Sequence, residues 1–190
     1  MDVLGILSAF GLSASAGLNA YIPLLIVALL AKFTNLLKLD QPWDALTSWW
    51  VIGLLVVLSL VEFFADKVPA VNHVNDIIQT FFRPAAGAIL FAASAHVITE
   101  ISPVLSIAAG ILVAGGVHAV KTLGVRPLVT ATTAGAGNVP VSVAEDVVST
   151  VLSVVSVVLP VLIACLMVLV TAWILWRWLR HARQEESKTT

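Results

Sequence analysis

Carboxylates, amides and both signs of charge crowd into one stretch of an otherwise apolar chain. The stretch reads EFFADKVPAVNHVNDIIQTFFRP and covers residues 62–84. Glu62 and Asp66 are four residues apart, so a helix places them on one face. A second polar stripe follows at intervals of four, four and three, formed by Asn72, Asp76, Thr80 and Arg83. Groups of these types can bind a cation, relay a proton or pair with one another.

Glu62 is the member of this stretch that a surface location does not explain. It lies within an apolar run, where a carboxylate is costly unless it is paired, protonated or hydrated. We therefore predict a polar vestibule or gate formed by Glu62, Asp66, Asn72, Asp76 and Arg83. The alternative is a charge network with a purely structural role.

A second pair of carboxylates, Glu145 and Asp146, follows a glycine-rich stretch and precedes the last apolar run. Acidic residues at this position complement the positive N-terminal end of a helix. The functional alternative is a cation or proton site beside Asn138 and the backbone carbonyls of residues 134–140. The sequence leaves both interpretations open.

Other chemistries find little support. The histidines show no pair at the spacing of metal ligands on a helix, which argues against a haem between helices. The stretch NDIIQ has one carboxylate where the acidic motifs of membrane prenyl- and phosphatidyl-transferases need two. Basic stripes interleaved with aromatic residues, typical of nucleic-acid binding, are absent from the sequence. We predict no catalytic residue, metal or cofactor, no nucleic-acid partner and no enzymatic activity.

The amino-acid composition indicates whether the chain folds in water or in a membrane. Of the 190 residues 59% are hydrophobic and 11% are charged, whereas about a quarter of the residues of a soluble domain are charged. The mean hydropathy is +1.03. The chain is therefore predicted to be an integral, multi-pass protein of the cell inner membrane, with the lipid bilayer as its main partner.

The apolar segments predict an all-α, polytopic transmembrane helical bundle, since about 20 apolar residues cross a bilayer. Residues 1–178 form one transmembrane domain, and residues 179–190 form a basic and then polar cytoplasmic tail. An amphipathic interfacial helix is predicted to begin after Pro69 and to end at Pro84. About six spans are expected, at 3–31, 48–64, 84–99, 103–120, 126–144 and 148–176.

Lysine and arginine indicate the orientation, because they favour the cytoplasmic side of the membrane. The basic tail places the C-terminus in the cytoplasm. If residues 126–144 cross the membrane, the N-terminus is also cytoplasmic. If they dip in and return, five spans remain and the charge asymmetry is weaker. In the six-span arrangement four cations share the side of the acidic groups and are able to pair with them: Lys67, Arg83, Lys121 and Arg126.

Two segments carry helix breakers near mid-depth. Gly17, Asn19 and Pro23 interrupt the first, and the run from Gly135 to Pro140 interrupts the fifth. Non-helical backbone in a bilayer is tolerated where it is buried in protein or lines a hydrated cavity, and transporters use discontinuous helices to bind substrates and ions. We expect a kink in the first segment and a discontinuous or re-entrant helix in the fifth. Asn19 and Asn138 are predicted to line a pathway.

Small residues predict which helices pack centrally. SASAGLNAYIP at 13–23 is similar to TATTAGAGNVP at 130–140, which reflects either an internal duplication or chance. Gly110 and Ala114 have the four-residue spacing of closely packed membrane helices. Segments rich in small residues are expected inside the bundle, and the valine- and leucine-rich second and sixth segments are expected to face lipid.

Two long stretches carry a resemblance to a known family: EFFADKVPAVNHVNDIIQTFFRPAAGA at 62–88 and VRPLVTATTAGAGNVPVSVAEDVVS at 125–149. With them the chain resembles, over about residues 5–175, a family of small bacterial integral membrane proteins known only as a domain of unknown function. The resemblance implies a polytopic membrane protein and no particular activity, substrate or site.

The leading functional hypothesis is a small transporter or channel for a cation, or for a proton-coupled small solute, because broken helices and membrane carboxylates occur together. We expect a homo-oligomer, since six short spans enclose little volume. The alternative is a non-transporting membrane scaffold or assembly protein. A lipid scramblase-like protein is a third hypothesis.

Overall fold

The computed structural model describes residues 3–94 and 102–189. Side chains are described within these ranges except at 3–4, 69–70, 72–73 and most positions beyond 159. The described part is mostly helical and contains no strand, which confirms the all-α prediction. Its helices are α1 (Val3–Leu18), α2 (Tyr21–Phe33), α3 (Trp49–Ala65), α4 (Pro69–Ser94), α5 (Pro103–Ala119), α6 (Arg126–Thr133) and α7 (Asn138–Thr189). A 3₁₀ turn (Trp43–Thr47) precedes α3, and a π-helical segment (Val120–Val125) joins α5 to α6.

The helices form a membrane bundle. Three stretches are long and apolar enough to cross a bilayer, namely 74–94, 103–133 and 138–159. Shorter apolar helices occupy residues 5–18, 21–33 and 49–65. Apolar helices of this number and length agree with the predicted helical membrane bundle.

Helix α1 lies at the centre and runs antiparallel to α7. Ser149 Oγ donates to the carbonyl oxygen of Ser15 at 3.0 Å, and Ser153 Oγ donates to Ser15 Oγ at 2.9 Å. Nearer the start of α1, Ser8 Oγ donates to the carbonyl oxygen of Ser156. Hydroxyl bonds of this kind join helices where lipid supplies no hydrophobic driving force. The central place predicted for the first segment agrees with this packing.

Helices α4 and α5 approach each other closely at two glycines. A Cβ added to Gly110 would lie 2.7 Å from Ala88 Cα and 2.8 Å from Ala88 N. A Cβ added to Gly87 would lie 2.7 Å from the carbonyl oxygen of Gly110. Neither position has room for a side chain, which confirms the predicted tight packing around Gly110.

Helices α2 and α3 form an antiparallel hairpin. The rings of Phe33 and Trp49 contact each other at 5.9 Å between centroids, and Lys32 Nζ donates to the carbonyl oxygen of Thr47 at 2.6 Å. At the other end of the hairpin, the backbone of Ala20 contacts the carboxylate of Glu62. The hairpin thereby brings the end of α3 to the start of α2.

The first segment breaks rather than kinks, so the prediction of a kink is wrong. Helix α1 ends at Leu18 and α2 begins at Tyr21. The amide oxygen of Asn19 accepts from the backbone N–H groups of Tyr21 and Ile22 at 3.1 and 2.9 Å. The side chain replaces the carbonyls that a continuous helix would offer, which makes the break affordable inside the bundle.

The second predicted break is present between α6 and α7. Ala134 and Gly135 adopt left-handed conformations with φ of 53° and 87°, and the new helix begins at Asn138. The predicted segment 126–144 is therefore divided between two helices. Its first part continues the long rod that starts at Pro103, and its last part opens α7.

Pro84 does not end a helix, so the predicted interfacial helix from Pro69 to Pro84 is wrong. Helix α4 runs through Pro84 to Ser94. A membrane helix tolerates an internal proline when neighbouring groups satisfy the freed backbone. The orientation of α4 also differs from a helix lying on a membrane surface. Its polar side is buried in protein at Asn75, Gln79 and Arg83, and its apolar side is exposed at Val71, Val74, Ile77, Ile78, Phe81 and Phe82.

Candidate functional site

Charged side chains from α3, α4, α7 and the segment joining α5 to α6 meet beside the break between α1 and α2. Most of them are buried in the protein. Charges removed from water are stable only when they are paired and hydrogen-bonded. We call the following nine side chains the charge cluster: Glu62, Asp66, Lys67, Asp76, Arg83, Lys121, Arg126, Glu145 and Asp146.

Glu62 and Arg83 form a fully buried ion pair within the charge cluster. Arg83 Nη2 lies 2.9 Å from Glu62 Oε1, and neither side chain has any exposed surface. Glu62 Oε2 accepts from the backbone N–H of Ala20 at 3.1 Å. Ala20 directly precedes α2, so the carboxylate lies at the positive end of that helix. Arg83 and the backbone of Ala20 thus offset the free-energy cost of burying the Glu62 carboxylate.

Asn19 connects the helix break to α7. Its amide oxygen caps α2, while its amide nitrogen donates to Asp146 Oδ1 at 3.0 Å. The other oxygen of Asp146 lies 3.0 Å from Lys67 Nζ. The break, the first turns of α7 and the end of α3 are therefore held together by one buried amide and one ion pair.

Asp66 lies between α3 and α4 and collects several positive charges. Its Oδ2 lies 3.2 Å from Arg126 Nη2, 3.6 Å from Lys121 Nζ and 3.8 Å from Arg83 Nη2. Asn75 donates to Oδ1 at 2.7 Å. Burial alone would raise the pKa of Asp66, but the three cations and Asn75 outweigh it and hold the pKa below its usual range.

Glu145 is shared by two cations. Its Oε2 lies 2.8 Å from Lys121 Nζ and 3.0 Å from Arg126 Nη2. Lys121 Nζ also donates to the carbonyl oxygen of Leu18, the last residue of α1, at 3.2 Å. Lys121 therefore ties the π-helical segment to both the helix break and α7.

Asp76 is the carboxylate of the charge cluster with the weakest pairing. Its Oδ2 lies 3.4 Å from Arg126 Nη1. Its Oδ1 is buried and has no hydrogen-bond partner. Arg126 meanwhile serves Asp66 and Glu145 at shorter distances. A carboxylate oxygen in this position is available to a proton or a small cation.

His118 has its tautomer fixed by its neighbours. Arg83 Nη1 lies 2.9 Å from His118 Nδ1, and a guanidinium group donates only. Nδ1 is therefore the acceptor, and Nε2 carries the proton of the neutral ring. Nε2 lies 3.2 Å from Thr80 Oγ1, which donates to the carbonyl oxygen of Asp76 at 2.9 Å. His118 is a neutral link between Arg83 and the backbone of Asp76.

A cavity of about 570 Å³ borders the charge cluster between α5, the π-helical segment and α7. Its wall is mostly valine, including Val113, Val117 and Val148, and the side chains of Lys121 and Glu145 also line it. This volume is typical of small-molecule sites. Among the described side chains, no set of three His, Cys, Asp or Glu residues is arranged to hold a metal ion.

Most of the predicted site residues come together. The structure brings Asn19, Glu62, Asp66, Asp76, Arg83, Glu145 and Asp146 into one network. Asn138 is separate, because its amide pairs with Thr130 beside the second helix break. The side chain of Asn72 lies outside the described residues.

Sequence reasoning missed three buried side chains of the site. Asn75 and Gln79 are one helical turn apart and point inward with Arg83, whereas the predicted stripe contained Asn72, Asp76 and Thr80. Their spacing of four to Arg83 was the available indication. His118 carried no indication, because the partners of its ring among the described residues, Thr80 and Arg83, lie on another helix.

Comparison with known families identifies the chain. It matches the family described as "Domain of unknown function (DUF4126)" over residues 6–180, and it belongs to that family. Comparisons with curated proteins and with solved structures find no match.

Proposed function

We propose that this membrane protein is a small transporter or channel, and that the charge cluster is the gate of a pathway for a cation or a proton-coupled small solute. The observation that carries the proposal is the fully buried Glu62–Arg83 pair at the break between α1 and α2. Ionisable groups inside a membrane bundle are expensive and usually mark ion or substrate pathways.

The helix break supports the proposal through its geometry. Transporters present the ends of discontinuous helices to ions and substrates near the middle of the membrane. Here the N-terminal end of α2 already holds a carboxylate, and the C-terminal carbonyl of α1 at Leu18 already holds an ammonium group. Exchange of these internal partners for a transported ion would open the gate.

The neighbouring cavity offers space for a solute beside the gate. Lys121 and Glu145 face both the cavity and the charge cluster. A solute in the cavity would therefore lie against the side chains of Lys121 and Glu145, whose charged ends pair with Asp66 and Arg126. This arrangement fits coupling between a solute and an ion better than it fits an inert structural network.

The proposal includes the orientation and assembly expected from the sequence. We propose a cytoplasmic C-terminus, because the tail is basic, and a homo-oligomer in which a second copy completes the enclosed volume. The orientation of the N-terminus follows from the number of crossings. Maleimide labelling of Asn35→Cys and Ala136→Cys, each in a Cys165→Ala background, tests the sides of two exposed connections.

Purified protein reconstituted into liposomes tests the function. We expect wild-type vesicles to dissipate an imposed proton or monovalent-cation gradient, and we expect Glu62→Gln to abolish that flux. Asp44→Asn, an exposed acid-to-amide change outside the charge cluster, is the matched control and should transport normally. Absence of any ion or solute flux from folded wild-type protein would contradict the proposal, and movement of labelled lipid instead would indicate the scramblase alternative.

A further inference from the structure

We propose that the charge cluster holds one bound proton at neutral pH, and that this proton resides on Asp76. The role of this proton as the coupling ion rests on the proposed function. The binding of the proton itself does not depend on transport.

The charge cluster has more acidic than basic side chains. The charge cluster contains five carboxylates and four cations among the described side chains: Glu62, Asp66, Asp76, Glu145 and Asp146 against Lys67, Arg83, Lys121 and Arg126. His118 adds no charge, because Arg83 donates to its Nδ1. Full ionisation would leave one uncompensated negative charge inside the protein. A buried group in that position takes up a proton instead of remaining charged.

The pairing of the carboxylates indicates which of them carries the proton. Both oxygens of Glu62, Asp66 and Asp146 accept hydrogen bonds or ion pairs. Glu145 lies within 3.0 Å of two cations. Asp76 has one contact at 3.4 Å and one buried oxygen without a partner. Protonation of Asp76 therefore loses the least pairing energy of any acid in the charge cluster.

The cations around Asp76 do not compensate its negative charge, because each is paired more closely with another carboxylate. Arg126, Lys121 and Arg83 act on it from α6, the π-helical segment and α4, and Asp66 acts on it from the loop before α4. Each cation is closer to another carboxylate, Arg126 and Lys121 to Glu145 and Arg83 to Glu62. His118 on α5 contributes a neutral ring that is linked to the backbone of Asp76, in part through Thr80, and not to its carboxylate.

The position of Asp76 also allows the proton to exchange. The solvent-exposed fraction of its side chain is 15%, whereas the side chains of Glu62 and Asp66 are 0% and 2% exposed. Asp76 thus lies at the edge of the charge cluster, where its proton exchanges more easily than at the closed ion pairs behind it. Loss of this proton would free Asp76 to compete for Arg126 and to weaken its contacts with Asp66 and Glu145.

Infrared spectroscopy of the purified full-length protein tests the inference directly. A protonated carboxylic acid has a C=O stretch that the carboxylate lacks. We expect this band at neutral pH in the wild type, its loss as pH rises, its absence in Asp76→Asn, and no change in Asp44→Asn. Carbon-13 labelling should shift the band when aspartate is labelled and leave it in place when glutamate is labelled, and this measurement needs no variant to fold.

Several outcomes would overturn the inference. These are a wild type without the band, a band that shifts with labelled glutamate, or a band retained in Asp76→Asn. Stabilisation by sodium at fixed pH without the band would replace the proton with a metal cation. The assay also separates the two proposals. A protein with the band and no ion flux would refute the transport function alone, and one with flux and no band would refute the bound proton alone.

Discussion

Glu62 Oε1 and Arg83 Nη2 lie 2.9 Å apart with no exposed surface on either side chain. Removing one partner leaves the other as an unpaired charge, which costs about 3–5 kcal/mol in buried pairs. We therefore predict that Arg83→Ala strongly lowers the free energy of unfolding in detergent. Arg177→Ala, which removes an exposed arginine of α7, should have little effect.

The same pair predicts non-additivity. The double variant Glu62→Ala/Arg83→Ala removes both charges and leaves neither one without its partner. Its loss of unfolding free energy should therefore be smaller than the sum of the losses in the two single variants. Equilibrium unfolding of all four proteins measures the coupling free energy. Additive effects would show that the two side chains are stabilised independently of each other.

Asn19 is predicted to be needed for the break between α1 and α2. Asn19→Ala removes the cap of α2, worth about 1 kcal/mol at other helix starts, and also removes the donor to Asp146. We expect a clear fall in thermal stability together with loss of flux. Asn35→Ala, at an exposed asparagine of the connection after α2, is the matched control. Equal melting temperatures for the two variants would contradict a role for Asn19 in holding the break.

Two glycines of α5 should respond in opposite ways to one added methyl group. Gly110→Ala forces the methyl group against Ala88, and overpacking of this kind typically costs about 1–3 kcal/mol. Gly116→Ala meets no atom within 4 Å and replaces a poor helix former, so it should be neutral or stabilising. Thermal unfolding of both variants checks the packing of α4 against α5. A harmless Gly110→Ala would contradict the close approach.

Asp66 predicts how stability depends on acid pH. Its pKa in the folded protein is held below its usual range by Lys121, Arg126 and Arg83, although burial opposes this. The ionised form therefore stabilises the fold above the unfolded pKa, about 3.9, and this stabilisation is lost as pH falls through the folded pKa. We expect the melting temperature of the wild type to drop steeply below that pH. Asp66→Asn should be less stable at neutral pH and should show a shallower acid dependence.

Much of the site was predictable because hydrocarbon penalises charge so heavily. That penalty singles out Glu62, helical spacing adds Asp66, Asp76 and Arg83, and the structure places all four in one network. The second break was predictable too, since Gly135 adopts a left-handed conformation that few other residues adopt.

The errors have a common physical cause, which is that tertiary contacts outweigh local preferences. Pro84 breaks helices in isolation, yet α4 continues through it with Arg83 paired on one side and Gly87 packed against α5. Asn19 itself caps α2, but the other partners that stabilise the break, Glu62 and Asp146, are distant in sequence. No local pattern carries such information.

The cavity beside Lys121 and Glu145 gives the most direct test of where a solute binds. Gly116 lines this cavity and has open space beside it, so Gly116→Leu should narrow the cavity without disturbing the fold. Gly53→Leu adds the same side chain to α3, also into open space but away from the cavity, and is the matched control. If the solute enters here, Gly116→Leu should lose solute transport at least tenfold while its melting temperature and the infrared band of Asp76 stay unchanged. Transport unaffected by the narrowed cavity would place the solute pathway elsewhere in the bundle, because Gly116, Lys121 and Glu145 line the same cavity.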